Sequence, residues 1–327
     1  MPEASHSSTP VRLLDLHPPH CDFRAEVLEG LTAEPKSLSP KFFYDERGSR
    51  LFEKITRLPE YYPTRTELAI MDRRMPEIAD LVGPGACVIE FGSGSGLKTR
   101  KLLTGLDSPV AYVPVEISRE HLLASAQALA DEFLDLEVLP VCADFTQAFE
   151  LPEPSTPPTR NLVFFPGSTI GNFEEADAIE LLEVMHTEAG PGGALLIGVD
   201  LRKARRVVEK AYNDAAGVTA EFNLNLLRRI NRELGADFNT GAFRHQAVWD
   251  DQEGRIEMRL NSRKDQTVRI SGAEISFAEG ETIHTENSYK YDPAEFIALA
   301  RRGGFDTEAW WTDENSWFAL YLLRATP

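Results

Sequence analysis

Cysteine and basic residues are scarce in this chain, and both shortages limit the functions that it can have. The three cysteines, Cys21, Cys87 and Cys142, lack the spacing of a metal site, and an odd number of thiols suits a reducing compartment. Lysine and arginine total 34 against 52 aspartates and glutamates, which gives a formal net charge of -18. So acidic a surface repels phosphate backbones and anionic membranes. We therefore expect no nucleic-acid partner, no membrane partner and no metal.

Long apolar runs are absent as well. No window reaches the roughly 18 apolar residues that a membrane-spanning helix needs. Residues 1–22 are rich in Ser, Pro and His and contain no apolar signal-peptide core. We expect this segment to be a mobile leader of a cytoplasmic protein that acts as a monomer.

Apolar runs of strand length alternate with helical segments in the middle of the chain. The predicted strands are 86–91, 110–117, 136–145, 161–168 and 193–201, and the predicted helices between them are 97–106, 118–133 and 174–189. This alternation predicts a doubly wound parallel sheet that binds a ligand at its strand ends. A helical hairpin over 202–235 and a β-rich block interrupt that domain. The chain then returns to a helix at 292–303 and a final strand pair.

The first predicted strand runs into the glycine-rich turn "EFGSGSGLK". Glu90, Gly92, Gly94 and Gly96 form the pattern acid-x-G-x-G-x-G, whereas the dinucleotide pattern G-x-G-x-x-G finds Leu97 in place of its third glycine. The turn resembles motif I of the class I methyltransferases, which bind S-adenosylmethionine. A purely structural glycine turn is the alternative.

Three further positions fit that cofactor. Glu116 ends the second strand, where its carboxylate can accept from both ribose hydroxyls, although NAD enzymes also use an acid there. Asp144 ends the third strand and can accept from the adenine amine, with Phe145 holding the base. Lys98 follows the glycine turn, within reach of the cofactor carboxylate. Either acid alone is equally well a helix cap or a solvated charge, but together they favour S-adenosylmethionine over a nicotinamide.

Longer stretches carry a more specific resemblance. "PKFFYDERGSRLFEKITRLPEYYPTRTE", "FPGSTIGNF", "AYNDAAGVTAEFN" and "HTENSYKY" together resemble the L-histidine Nα-methyltransferase family of ergothioneine biosynthesis. The resemblance implies an α/β class I methyltransferase (Rossmann-like) doubly wound sheet with a discontinuous α+β substrate-binding domain. The substrate-binding domain would comprise residues 23–66 and 202–289, and the S-adenosylmethionine-binding domain residues 67–201 and 290–327. The implied reaction is trimethylation of the α-amine of L-histidine to hercynine.

The resemblance also implies a role for individual side chains. Tyr44 resembles the tyrosine beside the substrate amine and is the candidate catalytic residue. Tyr61 resembles the tyrosine near the imidazole. Asn172 and Tyr212 resemble the pair that binds the substrate carboxylate. The plainer interpretations are a core aromatic cluster for the first two tyrosines, a helix cap for Asn172 and helix packing for Tyr212.

The resemblance also implies three residues that bind the imidazole of the substrate. Glu286 and Ser288 of "TENS" resemble the pair that hydrogen-bonds the ring, and Met258 resembles the residue packed against it, although Met258 is as readily a core residue. Glu116 departs from the aspartate that is more usual in the family.

Two other functions stay open. In the first, the protein methylates a different amino acid, such as tryptophan. In the second, it binds the nucleotide as a sensor and catalyses no reaction. An indole would gain nothing from a buried carboxylate paired with a hydroxyl, which favours histidine.

Overall fold

The computed structural model describes residues 11–16, 22–92 and 96–327. The strands are β1 (Leu14–Asp15), β2 (Ala86–Phe91), β3 (Ala111–Glu116), β4 (Glu137–Val138), β5 (Val141–Cys142), β6 (Arg160–Phe165), β7 (Ala194–Asp200), β8 (Phe243–Asp250), β9 (Arg255–Ser262), β10 (Gln266–Ile270), β11 (Ala273–Phe277), β12 (Thr282–Tyr289), β13 (Phe305–Thr312) and β14 (Phe318–Ala325). The helices are α1 (Phe23–Thr32), α2 (Glu46–Ile55), α3 (Tyr62–Val82), α4 (Leu97–Gly105), α5 (Arg119–Glu132), α6 (Glu175–Ala189), α7 (Arg205–Tyr212), α8 (Val218–Leu234) and α9 (Pro293–Arg302). Among the described helices, none combines the length and the apolar composition that crossing a bilayer requires.

The main sheet has the strand order β1-β5-β3-β2-β6-β7-β14-β13, with β4 also paired to β3. Its pairs are parallel except for β14, which runs antiparallel to both neighbours. This order confirms the predicted doubly wound α/β fold and the closing antiparallel pair. The chain leaves β2 towards β3 on one side and later returns to β6 on the other, so the ends of these strands flank a crevice that suits a ligand.

Both faces of the main sheet are covered, which explains the continuous apolar runs of its strands. Alternate residues of β2 enter different cores. Ile89 packs on the side of α6 and α9, whereas Val88 packs on the side of α3, α4 and α5. The helices contribute long apolar side chains to these two layers, among them Leu181, Met185 and Phe296 on one side and Ile70, Leu102 and Ala126 on the other.

The predicted strand over 136–145 is wrong as a single element. It divides into the two-residue strands β4 and β5, with Pro140 between them. Proline has no N–H to donate to a neighbouring strand, so the ladder with β3 is interrupted at that point.

Part of the predicted mobile leader is ordered. Leu14 and Asp15 pair in parallel with Val141 and Cys142 at the edge of the main sheet, and the Leu14 N–H donates to the carbonyl of Pro140 at 2.9 Å. The expectation of a mobile segment is therefore wrong for these two residues, because the edge strand offers them free backbone groups. Residues 1–10 and 17–21 of the leader lie outside the described residues.

A second core lies outside the main sheet. Strands β8, β9 and β12 form an antiparallel sheet and β10 and β11 a hairpin. Helices α1, α2, α7 and α8 contribute to the same buried cluster, which includes Val27, Phe43, Tyr62, Phe222, Leu226, Met258 and Ile283. Two distant stretches of sequence thus share one core, because neither could bury its apolar face alone.

Candidate active site

The ends of β2, β3 and β5 bring three predicted cofactor residues to one edge of the main sheet. Gly92 follows β2, Glu116 ends β3 and Asp144 follows β5. Gly92 has φ of 76°, a left-handed conformation that favours glycine, and a Cβ there would lie 3.7 Å from the ring of Phe145. Gly94 lies outside the described residues.

Local hydrogen bonds hold the two carboxylates at that edge. Asp144 Oδ1 accepts from the N–H and the hydroxyl of Thr146 at 3.0 and 2.7 Å, which closes a tight turn. Glu116 accepts from the N–H of Ile117 at 2.9 Å. The ring of Phe145 lies 5.6 Å from that of Phe91. Two acceptors, an aromatic ring and a close backbone match the ribose hydroxyls and the base of an adenosine, so these residues fit S-adenosylmethionine.

Lys98 has a protein partner that sequence reasoning missed. Its ammonium lies 2.5 Å from Glu67, whose side chain is fully buried. The same carboxylate accepts from the N–H of Gly167 at 3.0 Å, and a Cβ on Gly198 would come within 2.1 Å of it. The sequence signal for this ion pair was a glutamate on the mostly apolar, buried face of α3. Lys98 therefore joins α4 to α3 and to the loop after β6.

Glu90, the acid of the glycine motif, is buried beneath the turn. Its carboxylate accepts from the hydroxyls of Thr99 and Tyr112 at 2.7 and 2.5 Å. Burial raises the pKa of Glu90 to about 7, although both hydrogen bonds lower it. The motif acid thus fixes α4 against the sheet.

Three tyrosines predicted from the resemblance lie around one buried carboxylate. Tyr44, Tyr61 and Tyr212 each have their pKa raised above the ordinary value by burial and, further, by the charge of Glu286. The rings of Tyr61 and Tyr212 are 6.4 Å apart. Tyr44 is surrounded by protein atoms, which raises its pKa, and Phe52 packs against its ring, yet 45% of the residue is exposed. A side chain that is both enclosed and accessible lines a recess.

Strand β12 supplies the floor of this recess. Residues two apart on a strand face the same side, so Glu286 and Ser288 lie in one row. Lys290, the first residue after β12, continues the row, because its ammonium reaches Ser288. Glu286 is 8% exposed, and burial raises its pKa to about 7 while Lys290 opposes that shift. Met258 of β9 lies opposite Glu286 across the strand pair and is buried. The strand register therefore places Met258 beside Glu286.

A buried ionic cluster lies beneath the row and was not foreseen. The Lys290 ammonium lies 3.0 Å from Asp200, and Lys203 lies 2.5 Å from the same carboxylate. The hydroxyl of Tyr62 donates to it at 2.8 Å. Burial would raise the pKa of Asp200, but the two ammonium groups outweigh burial and lower it. Burial lowers the pKa of Lys203 to about 8.

Asn172 ends a short 3₁₀ helix, Thr169–Asn172, that packs against β12. A Cβ on Gly171 would lie 2.7 Å from the carbonyl oxygen of Tyr289, so glycine allows the close contact. Asn172 is half-buried. Its predicted partner Tyr212 instead donates to Ser288 at 2.7 Å. Within the described residues, no group of three or more His, Cys, Asp or Glu side chains is arranged to hold a metal ion.

Comparisons with known proteins place the chain in one family. The family described as histidine-specific methyltransferase, SAM-dependent, matches residues 23–325. The chain is 43% identical over 305 residues to histidine N-alpha-methyltransferase of Mycolicibacterium smegmatis, covering 91% of this chain and 94% of that protein. It is 41% identical over 309 residues to the Mycobacterium tuberculosis protein of the same name, covering 93% and 95%.

A fungal protein shares the same region. Ergothioneine biosynthesis protein 1 of Neurospora crassa is 33% identical over 296 residues, which cover 88% of this chain and 33% of that protein. These matches confirm the resemblance seen in the sequence. The chain belongs to the family of histidine-specific, S-adenosylmethionine-dependent methyltransferases.

Proposed function

We propose that this protein transfers three methyl groups in succession from S-adenosylmethionine to the α-amine of L-histidine, giving hercynine, the first step of ergothioneine biosynthesis. The observation that carries the proposal is the buried carboxylate of Glu286 beside Ser288 on the floor of a tyrosine-lined recess. Residues two apart on a strand face the same side, so both groups are directed to one side of the strand, where an imidazole has a hydrogen-bonding nitrogen for each.

The cofactor residues divide the adenosine between them. Glu116 accepts from the ribose hydroxyls, Asp144 from the adenine amine, and Phe145 holds the base. Gly92 lets the chain approach the ligand closely. Lys98 orients the loop after β6 through Glu67 and reaches towards the cofactor carboxylate. When bound, S-adenosylmethionine supplies an electrophilic methyl group.

The substrate residues place the amine for attack. Tyr44, the candidate catalytic residue, lies beside the α-amine, and Tyr61 lies near the imidazole. Asn172 binds the carboxylate through its amide, with Tyr212 beside it as its partner, and Met258 packs on the imidazole ring. Correct placement of a neutral alkyl amine supplies most of the acceleration. The tyrosine rings also attract the quaternary ammonium of the product.

The two cores correspond to two tasks. We assign residues 23–66 and 202–289 to substrate binding, because the second core is built from these stretches and carries the recess. Residues 67–201 and 290–327 supply the main sheet and bind the cofactor.

The test is mass spectrometry of single amino acids incubated with the protein and S-adenosylmethionine. Three mass increments of a methyl group on histidine are expected. Methylation of tryptophan in preference to histidine would reassign the acceptor. Binding of the nucleotide without turnover of any amino acid would indicate a sensor.

A pair of variants tests whether the buried carboxylate of Glu286 binds the imidazole. Glu286→Ala should lower selectivity for histidine over a ring without polar atoms by up to about 10⁴-fold, because the ring loses its acceptor. The matched control is Glu274→Ala on β11, an exposed glutamate paired with Arg269. It should change stability by less than about 0.5 kcal/mol and leave selectivity intact. Unchanged selectivity in the Glu286 variant would mean that the imidazole is recognised elsewhere.

A further inference from the structure

We propose that Lys290 is a positioning residue that makes the substrate site select the neutral imidazole of histidine, by fixing the direction of the hydroxyl protons of Tyr212 and Ser288. This inference rests on the proposed function. It assigns a role to a buried residue that contacts Tyr212 and Ser288 from beneath the recess.

The ammonium of Lys290 has all of its donors engaged. It lies 2.7 Å from Ser288 Oγ, 3.1 Å from the hydroxyl of Tyr212 and 3.0 Å from Asp200 Oδ2. An ammonium carries three N–H donors and no acceptor, so each N–H has one of these oxygens. Lys290 is 2% exposed, so water does not compete for them.

The two hydroxyls are left with one proton between them. Tyr212 and Ser288 are hydrogen-bonded to each other at 2.7 Å, which uses one of their two protons. The other proton cannot point at the ammonium, which accepts nothing. Neither hydroxyl has a further acceptor among the described residues. The pair therefore presents one O–H donor beside Glu286, which is an acceptor when ionised.

A donor next to an acceptor matches one protonation state of the ring. Neutral imidazole has one N–H for Glu286 and one bare nitrogen for the hydroxyl, whereas imidazolium has two N–H groups and would leave the hydroxyl donor facing another donor. The sequence places Glu286 and Ser288 on one face of β12. Lys290, the first residue after the strand, sets the polarity of the hydroxyl pair through its contacts with Tyr212 and Ser288.

Charge balance favours the same state. Asp200 is one carboxylate against the two ammonium groups of Lys203 and Lys290, all buried. The two ammonium groups exceed the charge of Asp200 by one positive charge, which ionised Glu286 neutralises. A bound imidazolium would restore this positive charge. Glu286 also acts on the uncharged hydroxyls of Tyr44, Tyr61 and Tyr212, and the carboxylate of Glu116 acts on Tyr44 as well. Because Lys290 opposes the rise in the pKa of Glu286, loss of its charge should keep this carboxyl protonated to higher pH.

The first test uses the unaltered protein. Histidine labelled with ¹⁵N in the ring is bound together with S-adenosylhomocysteine, and the ring nitrogen shifts are recorded near pH 7. One protonated and one unprotonated nitrogen are expected. Two protonated nitrogens would overturn the inference. If histidine is neither bound nor methylated, the proposed function fails and the inference with it.

The second test compares two lysines that share one carboxylate. Lys290→Met should reduce the kcat/KM ratio of histidine to 3-(2-thienyl)alanine by about tenfold to hundredfold. It should also move the acid limb of kcat/KM for histidine to higher pH. The matched control is Lys203→Met, which removes an equally buried ammonium from Asp200 but does not contact Tyr212 or Ser288.

The two variants separate positioning from general destabilisation. Lys203→Met should lower the melting temperature while leaving the kcat/KM ratio unchanged, because Tyr212 and Ser288 keep their contacts with Lys290. Equal changes of the ratio in the two variants, or an unchanged ratio in Lys290→Met while histidine is still methylated, would overturn the inference and leave the proposed function standing. If Lys290→Met no longer binds S-adenosylhomocysteine because it is unfolded, the ring nitrogen shifts in the unaltered protein decide alone.

Discussion

Replacing Lys98 with methionine is predicted to lower the stability of the protein more than its affinity for the cofactor. The substitution leaves the fully buried carboxylate of Glu67 without its ammonium partner, with the N–H of Gly167 as a remaining donor. Removing one member of a buried ion pair costs about 3–5 kcal/mol. A chain of 327 residues shifts its Tm by about 1.5 °C per kcal/mol, so the Tm should fall by about 4–7 °C.

A control on the same helix separates this effect from the loss of any lysine. Lys101 of α4 pairs with Asp72, but that aspartate is 61% exposed. Lys101→Met should therefore cost less than about 1 kcal/mol. The double variant Lys98→Met with Glu67→Gln should regain part of the lost stability, because the neutral amide removes the unpaired charge and can still accept from Gly167.

Thermal unfolding and calorimetry with S-adenosylhomocysteine measure the two effects separately. The reasoning predicts a lowered Tm, recovery in the double variant and a small change in affinity. An unchanged Tm together with an affinity loss of about tenfold or more would refute it. Lys98 would then act as a direct ligand of the cofactor carboxylate, and the contact with Glu67 would contribute little.

Three further predictions concern other parts of the site. Asp144→Ala should weaken S-adenosylhomocysteine binding by about tenfold to hundredfold without weakening histidine binding, since a charge-assisted hydrogen bond is lost; unchanged calorimetric affinity would remove Asp144 from the adenine site. Gly171→Ala should cost about 1–3 kcal/mol and raise the KM for histidine, because the new Cβ would lie 2.7 Å from the carbonyl oxygen of Tyr289; an unaltered KM in steady-state kinetics would contradict the close packing. Burial lowers the pKa of His245, whose ring nitrogen lies 2.8 Å from the carbonyl oxygen of Tyr212. In the folded protein this imidazole therefore stays neutral at a pH where the unfolded chain takes up a proton. The free energy of unfolding should fall as the pH drops below about 6.5. Urea unfolding at pH 7 and pH 5 should show a larger loss for the unaltered protein than for His245→Gln, and equal losses would show that His245 is not the group responsible.

The sequence was sufficient for the features that depend on local pattern. Apolar runs bounded by turn residues predicted β2, β3, β6 and β7, because a strand buried on both faces needs apolar residues at every position. The glycine turn after β2 pointed to the edge of the main sheet at which Glu116 and Asp144 also lie. The family resemblance supplied Tyr44 and Glu286 as candidates, and the charge of Glu286 contributes to the raised pKa of Tyr44.

Pairings between distant segments were not predictable in the same way. The pattern over 136–145 is that of one strand, but Pro140 divides it. Leu14 and Asp15 have no strand pattern of their own and become a strand only because an edge is available. Both outcomes depend on which backbone groups remain unpaired after the sheet has formed.

The buried ionic residues show most clearly what only the tertiary structure decided. In the sequence, nothing shows which lysine reaches Glu67 or Asp200, and Lys290 looks like any surface lysine. A charged side chain can be buried only if a partner from elsewhere in the chain reaches it, since an isolated charge in the interior is too costly. Folding brings Lys98 of α4 to Glu67 of α3, and Lys290, which follows β12, to Asp200 of β7. The sequence by itself therefore determined the fold class and the family, while the pairing of these charges, and with it the polarity of the substrate site, was decided by packing between elements far apart in the chain.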